Sequence, residues 1–164
     1  MTWYPLQPCD ESFFSSAPFV YRYPVELAVS PERVWQSLTS DEAIAAWGLG
    51  LHSLRWTSPR PFGVGTSREV VLPGKLMAVR ERFFLWDDGR RKAFHGTQAN
   101  RALVRTFAED YLVEASGAGS RFTWTIALEP TEKTGMLLKV AEPLNKLAFR
   151  AVPLRAKRYF ANNP

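Results

Sequence analysis

The sequence predicts an α+β fold in which a curved antiparallel sheet of seven strands wraps around a long C-terminal helix, with two short helices after the first strand. Three observations support this prediction. Residues 19–29 alternate between apolar and polar side chains, residues 51–130 contain six further strand-like segments, and residues 135–161 have helical spacing. The 164 residues suit one domain, so we expect an irregular arm over residues 1–18 and a single domain over residues 19–164.

The first strand places its large side chains on one face, which is typical of a half-buried strand. Pro24 lies within this segment and favours an edge position, because proline has no backbone N–H to donate to a neighbouring strand. The residues expected to face the core are Phe19, Tyr21, Tyr23, Val25, Leu27 and Val29.

Two short helices are expected after this strand. Ser30 is a typical N-cap residue, and Pro31 suits the first helical position, where the N–H that proline lacks would have no partner. A second short helix over residues 40–47 is predicted to end at Gly48 and Gly50, because glycine readily adopts the left-handed conformation that ends helices.

The middle of the chain contains strand-like segments separated by turn residues such as Pro73-Gly74 and Asp88-Gly89. The short links between successive strands indicate an antiparallel order, because parallel strands need longer crossover connections. The six strands are expected near residues 51–58, 66–72, 75–86, 91–98, 102–115 and 121–129.

The C-terminal segment has the spacing of one amphipathic helix, in which Pro143 and Pro153 are expected to cause kinks or breaks. A long helix that faces a curved sheet leaves room for a cavity between them. The apolar stripe expected to face the sheet consists of Leu137, Val140, Ala141, Leu144, Leu147, Ala148, Ala151 and Leu154.

The composition argues against several classes of site. Cys9 is the one cysteine, so an internal disulfide and a cysteine-based zinc cluster are excluded, and we expect its thiol to be inert. The two histidines argue against a histidine-rich metal site, and no nucleotide-binding, metal-binding or nucleophile motif is present. We therefore predict no metal and no other cofactor. A signal peptide and a membrane-spanning segment are not recognised, so a cytoplasmic protein is expected.

The net charge of +5 is concentrated near the C-terminus, where residues 131–164 carry seven basic and two acidic side chains. One interpretation is the solvated face of an amphipathic helix. Another is peripheral contact with an anionic membrane. Nucleic acid is not expected as a partner, because aromatic side chains are not interleaved with the basic ones in a stripe.

Four motifs connect the chain with a known family. They are residues 29–35 (VSPERVW), residues 63–68 (GVGTSR), Glu81 followed by residues 86–88 (WDD), and residues 119–124 (GSRFTW). In these motifs and in the order of its elements, the chain resembles the START/Bet v 1-like (SRPBCC) superfamily, and within it the polyketide cyclase/dehydrase-like branch, over about residues 19–160. The resemblance implies a helix-grip fold, in which the concave face of the sheet and the long helix line a deep pocket.

Independently of the resemblance, strand alternation places charged side chains on apolar faces. Arg68 and Glu81 are the most evident candidate pair, and Arg105 with Glu109 is a second, because an inward-facing charge must be paired or change its pKa. Such pairs either brace the pocket wall or anchor a polar group of a ligand.

The same alternation gives the candidate ligand-binding residues, several of which are aromatic. They are Trp56, Arg68, Glu81, Phe83, Arg105, Phe107, Glu109, Tyr111, Trp124 and, from the helix, Leu144. Catalysis would need a general acid or base in contact with a bound substrate. The candidates for that role are Glu81, Arg68, Tyr111 and His95.

The resemblance implies binding or transport of a hydrophobic small molecule, such as a lipid, a fatty acid or a polyketide-like aromatic compound. We favour this non-catalytic function. The alternative is a polyketide cyclase, aromatase or dehydratase that uses Glu81, Arg68 and Tyr111. A third hypothesis is a surface function, with membrane contact through the basic C-terminal helix or homodimer formation through the aromatic residues of the arm.

Overall fold

The strands and helices follow the predicted order. The structure is a computed structural model that describes residues 2–47 and 51–164, so the predicted helix end at Gly48 and Gly50 lies outside the described residues. The strands are β1 (Tyr4–Pro5), β2 (Phe19–Leu27), β3 (Ser53–Trp56), β4 (Ser67–Val71), β5 (Ala78–Asp87), β6 (Arg91–Ala99), β7 (Val104–Ser116) and β8 (Gly119–Pro130). The helices are α1 (Phe13–Ser16), α2 (Pro31–Leu38), α3 (Ala43–Trp47), α4 (Gly135–Val140) and α5 (Glu142–Asn162), with a 3-10 turn at Pro73–Lys75.

Seven strands form one antiparallel sheet in the order β2-β8-β7-β6-β5-β4-β3, which confirms the predicted helix-grip arrangement around a C-terminal helix. β2 is an edge strand that accommodates Pro24, and Val25 and Leu27 face the core as predicted. The pairing of β5 with β6 shifts register after Arg80 and again after Phe83. Such irregularities bend strands and increase their twist, and so help the sheet to curve.

The predicted N-cap begins α2. The Ser30 hydroxyl accepts a hydrogen bond from the Arg33 backbone N–H at 3.3 Å, and Pro31 lies in the first turn. α3 follows, and its last residue, Trp47, packs on Phe122 of β8 with ring centroids 4.4 Å apart. Aromatic packing therefore closes this end of the space between the sheet and α5.

The C-terminal segment forms two helices, and Pro143 lies in the first turn of the second, which confirms the predicted break there. α5 continues through Pro153. No helix in the described part of the chain is long and apolar enough to cross a membrane. The predicted inward stripe is only partly confirmed. Leu137, Ala141 and Ala148 line the space between the helices and the sheet, but most of its large residues face solvent: they are Val140, Leu144, Leu147 and Leu154.

α5 packs a different stripe against the core, which contains Phe149, Ala156 and Phe160. Phe149 packs edge-on against Trp124 with ring centroids 5.9 Å apart, and Phe160 packs on Trp47 at 5.6 Å. Both stripes are apolar, but the aromatic rings bury more area, so their stripe faces the sheet.

The N-terminal arm is partly regular, which corrects the prediction for residues 1–18. β1 pairs with the end of β6, beyond the stretch in which β6 pairs with β7. The Leu6 N–H then donates to the Thr97 carbonyl at 2.9 Å, and the Gln7 N–H donates to the Arg105 carbonyl at 2.8 Å. The arm therefore fills the gap between two central strands of the sheet.

The arm also packs on the outer face of the sheet. α1 places Phe14 in a buried cluster with Ala93 and Ala108. Burial, together with the neighbouring Asp10, raises the pKa of the Cys9 thiol to about 11. This thiol is therefore protonated at neutral pH, in agreement with the prediction that it is inert.

Candidate ligand-binding site

A cavity of about 680 Å³ lies between the concave face of the sheet and the helices α4 and α5. This volume is typical of pockets that enclose small organic molecules. Leu103 and Leu137 line the cavity and are also exposed to solvent, so its mouth lies beside the starts of β7 and α4. Trp47 and Phe122 line the opposite, buried end, and most other lining side chains are aliphatic or aromatic.

The charged side chains of the wall lie away from the mouth. Arg68 on β4, Glu81 on β5 and Glu109 on β7 all line the cavity. Glu81 is four residues beyond Met77, a lining residue that follows the turn at Pro73–Lys75. Four residues of extended strand span about 13 Å. A ligand that reaches the charged side chains must therefore enter well past the mouth.

Arg68 and Glu81 form the predicted ion pair. They lie directly opposite each other on β4 and β5, and Arg68 Nε donates to Glu81 Oε2 at 2.6 Å. Burial alone would lower the pKa of Arg68, but the Glu81 carboxylate and the Tyr111 hydroxyl raise it above its ordinary value. Burial raises the pKa of Glu81, against the opposing effect of Arg68. Each charge therefore depends on the other to remain in an apolar wall.

An aromatic layer lies behind Arg68. Its guanidinium carbon is 4.5 Å from the ring centroid of Phe94, 5.3 Å from that of Phe83 and 5.5 Å from that of Trp56. Such contacts attract the guanidinium to the ring faces. The layer and the bond to Glu81 together fix the orientation of the Arg68 side chain.

Lys92 is fully buried in the same layer. Its Nζ donates to the Leu38 carbonyl at 2.6 Å. Burial, followed by the nearby charge of Arg68, lowers the pKa of Lys92 well below its ordinary value. The sequence analysis did not single out Lys92, although its alternation with the buried Phe94 was a signal that it faces inward. The Nζ atom lies within 5.6 Å of five ring centroids, those of Trp35, Trp56, Phe83, Trp86 and Tyr111.

Glu109 is a wall carboxyl group with an oxygen atom to offer a ligand. Its Oε2 accepts hydrogen bonds from the Tyr111 hydroxyl at 2.7 Å and from the Trp124 indole N–H at 2.9 Å. A longer bond of 3.5 Å from Arg68 Nη2 to the Tyr111 oxygen connects this group with the ion pair. Among the described residues, Glu109 Oε1 has no hydrogen-bond donor of its own, so it is available to a ligand. Glu81 Oε1 has no donor either, but Glu81 is held by its ion pair with Arg68.

The pKa of Glu109 lies close to neutrality. Burial and the nearby Glu81 carboxylate raise it to about 7, although Tyr111 and Arg68 oppose the change. The protonated carboxyl can donate a hydrogen bond and the ionised one can accept one. Because Arg68 is already paired with Glu81, the site provides little compensation for a further negative charge.

Most predicted ligand-binding residues come together in this cavity. Trp56 and Phe83 lie in the aromatic layer behind Arg68. The six predicted residues that line the cavity are Arg68, Glu81, Phe107, Glu109, Tyr111 and Trp124.

Arg105 is a correction to the prediction. The register of β7 against β8 shifts after Val104, so Val104 and Phe107 both line the cavity while Arg105 between them points away. Arg105 is exposed and lies 3.5 Å from Glu129, so the predicted pair with Glu109 is wrong. An extra residue inverts the alternation of a strand, and the sequence pattern did not reveal its position.

Leu144 and His95 are further corrections. Leu144 is 68% exposed, because α5 turns its other stripe inward. His95 lies on the outer face of the sheet, where its ring stacks on Phe84 with centroids 6.0 Å apart. Its Nδ1 is 3.0 Å from the Gly96 carbonyl oxygen. This histidine is therefore not placed to act on a molecule in the cavity.

The sequence analysis missed many of the lining residues, among them Leu6 and Asn145. Leu6 comes from the arm, which was expected to be irregular, and Asn145 comes from the inward stripe of α5. Neither carries a motif that would have identified it. Across the described residues, no group of three or more His, Cys, Asp or Glu side chains is arranged to hold a metal ion.

Comparisons with known proteins agree on a family. A sequence model of the family described as polyketide cyclase/dehydrase and lipid transport matches residues 19–160. An uncharacterised protein of Mycobacterium tuberculosis (strain ATCC 25618 / H37Rv) is 36% identical over 156 residues, which cover 95% of this chain and 93% of the relative.

Solved structures agree on the fold. A protein of Thermus thermophilus superposes with a TM-score of 0.70 at 20% identity, over 88% of this chain and 99% of that chain. Major latex-like protein 151 of Panax ginseng superposes with a TM-score of 0.64 at 12% identity, over 84% of this chain and 95% of that chain. At such identities the similarity concerns the fold alone.

Replacing Arg68 by Met is expected to destabilise the protein by about 3–5 kcal/mol, because the buried Glu81 carboxylate loses its partner. The double variant Arg68→Met/Glu81→Leu is expected to recover most of this loss, since neither buried charge remains. Urea denaturation of the wild type, the two single variants and the double variant measures the coupling free energy. Additive effects of the two substitutions would contradict the pairing.

The stability of the fold is expected to depend on pH through Glu109. Its pKa is raised from 4.5 to about 7, so the folded state holds this proton more tightly than the unfolded chain. The resulting stabilisation is complete below about pH 4.5 and is lost as the pH rises through about 7. Glu109→Gln should flatten the free energy of unfolding over this pH range. An unchanged pH dependence in the variant would show that another group is responsible.

Proposed function

The chain belongs to the polyketide cyclase/dehydrase and lipid transport family, and from that premise we propose that it binds a neutral, mainly apolar small molecule through one carbonyl or hydroxyl group. The observation that carries the proposal is the Glu109 carboxyl group, whose Oε1 is free within a largely apolar cavity. A buried polar group of this kind needs a hydrogen-bond partner, which a ligand supplies.

The charges in the wall favour a neutral ligand group over a carboxylate. Arg68 is the one basic side chain among the described lining residues, and it is already engaged by Glu81. A carboxylate beside Glu109 would therefore face two acidic groups without a free cation. A polyketide-like aromatic compound or a neutral lipid fits this environment better than an ionised fatty acid does.

Binding without chemistry is favoured by the engagement of the candidate catalytic groups with one another. Arg68 and Glu81 hold each other at 2.6 Å, and the Tyr111 hydroxyl donates to Glu109. These bonds orient the wall and keep its charges compensated. Such a fixed wall suits a carrier. The apolar remainder of the ligand would bury its surface against the sheet and α5, which favours binding.

Filling the cavity tests the proposal. Ile126 lines the cavity and is buried, so Ile126→Trp is expected to occupy space that a ligand needs. The probe is the neutral fluorophore N-phenyl-1-naphthylamine, titrated into the purified protein. We expect saturable binding by the wild type and at least about tenfold weaker binding by the variant.

Val20→Trp is the matched control, because Val20 is exposed on the edge strand. It adds the same ring outside the cavity and should bind the probe as the wild type does. Circular dichroism checks that both variants are folded, since an overpacked core costs about 1–3 kcal/mol. Equal probe binding by folded Ile126→Trp and the wild type would overturn the proposal.

A second candidate function is that of a cyclase, aromatase or dehydratase, and the position of Glu109 in the cavity wall, where burial raises its pKa to about 7, favours it. A carboxyl group with such a pKa suits general acid or base catalysis on a bound ketone. In this alternative Glu109 is the general acid or base, and Tyr111 is its hydrogen-bond partner. Glu81 and Arg68, which the sequence suggested for catalysis, have no such role. The test is incubation with a linear poly-ketone. A cyclised or dehydrated product that Glu109→Gln no longer forms, although it still binds the poly-ketone, would favour the enzyme over the carrier.

A further inference from the structure

Exposed apolar side chains surround the mouth of the cavity. The mouth rim consists of Leu76, Leu103, Met136, Leu137 and Val140, each between 43% and 74% exposed. Leu103 and Leu137 also line the cavity, so the rim is continuous with its wall. Monomeric proteins usually expose large apolar side chains singly, and a contiguous group marks a binding surface.

Hydrogen bonds join the three chain segments that carry the rim. Arg101 Nε donates to the Leu76 carbonyl at 3.3 Å, which connects the turn after β4 with the segment before β7. The Thr131 N–H donates to the Leu103 carbonyl at 3.3 Å, and the Thr134 hydroxyl donates to the same oxygen. These bonds connect the segment before β7 with the start of α4. The apolar side chains therefore belong to one surface.

Basic side chains accompany the rim. Lys75, Arg101, Lys133 and Lys139 are exposed, and each lies within three residues of a rim residue in the sequence. Residues 72–77, 100–104 and 131–140 contain these four cations and one acidic residue, Glu132. An apolar surface with positive charges at its border is the arrangement that binds to the interface of anionic membranes.

We propose that the mouth rim docks on the surface of an anionic lipid bilayer. The apolar side chains would lie at the boundary between headgroups and acyl chains, with the four cations on the headgroups. A second copy of the chain is a poorer partner, because a symmetric contact would bring the same four cations of both copies together.

Docking in this orientation directs the mouth of the cavity at the bilayer. An apolar ligand can then pass between membrane and cavity with little exposure to water. The proposal goes beyond ligand binding and does not depend on it, since it concerns only the rim and its charges.

Co-sedimentation of the full chain with lipid vesicles tests the proposal. The vesicles are phosphatidylcholine alone, or phosphatidylcholine with about one third phosphatidylserine. We expect binding to the anionic vesicles, weakening at high salt, and little binding to the neutral ones. Met136→Ser/Lys139→Glu changes exposed residues outside the cavity wall, and it should weaken anionic vesicle binding at least about tenfold.

Leu154→Ser/Lys157→Glu is the matched control, with the same kinds of substitution on α5, where Leu154 lies about 18 Å along the helix from its first residue, Glu142. It should bind anionic vesicles as the wild type does. Absence of wild-type binding to anionic vesicles, or equal loss in both variants, would overturn the proposal. If the wild type does not bind vesicles but forms a concentration-dependent dimer that the rim variant disrupts, the partner of the rim is a second copy of the chain and the proposal is overturned. The rim variant is also titrated with N-phenyl-1-naphthylamine. Binding of this probe as by the wild type shows that the cavity is intact, so that any loss of vesicle binding comes from the rim.

Discussion

Arg68 and Glu81 are opposite charges held 2.6 Å apart in an apolar wall, and much of the cavity is arranged around their burial. Removing either partner would leave an uncompensated charge away from water. The pairing of β4 with β5 places the two residues opposite each other, and Phe94 covers the guanidinium from behind. The wall thus keeps two charges without presenting a net charge to the cavity.

The same apolar surroundings act differently on Glu109, which has no cation of its own. Its neighbours are the Tyr111 hydroxyl and the Trp124 indole, which are neutral donors, and its pKa rises towards neutrality. One carboxyl is therefore compensated and the other is poised between two protonation states. That contrast leads to the proposal of a neutral ligand group, and it also supports the enzymatic alternative.

Local patterns in the sequence predicted the order of elements, the cap at Ser30, the edge strand and the Arg68–Glu81 pair. The errors occur where the sequence allows two local arrangements and the packing of the whole fold selects one of them. A one-residue register shift turns Arg105 outward, and the competition between two apolar stripes on α5 exposes Leu144. The pairing of the arm with β6 depends on where β6 leaves β7, which no spacing reveals. The arm precedes the region that matches the family, yet it contributes Leu6 to the cavity wall.

The most direct test of the central claim is native mass spectrometry of the protein incubated with an organic extract of the cells that produce it. The account predicts a defined additional mass, released on denaturation and identified after extraction as a neutral, mainly apolar compound with a carbonyl or hydroxyl group. The mass of the bare chain alone, or a bound compound that is ionised and hydrophilic, would contradict it.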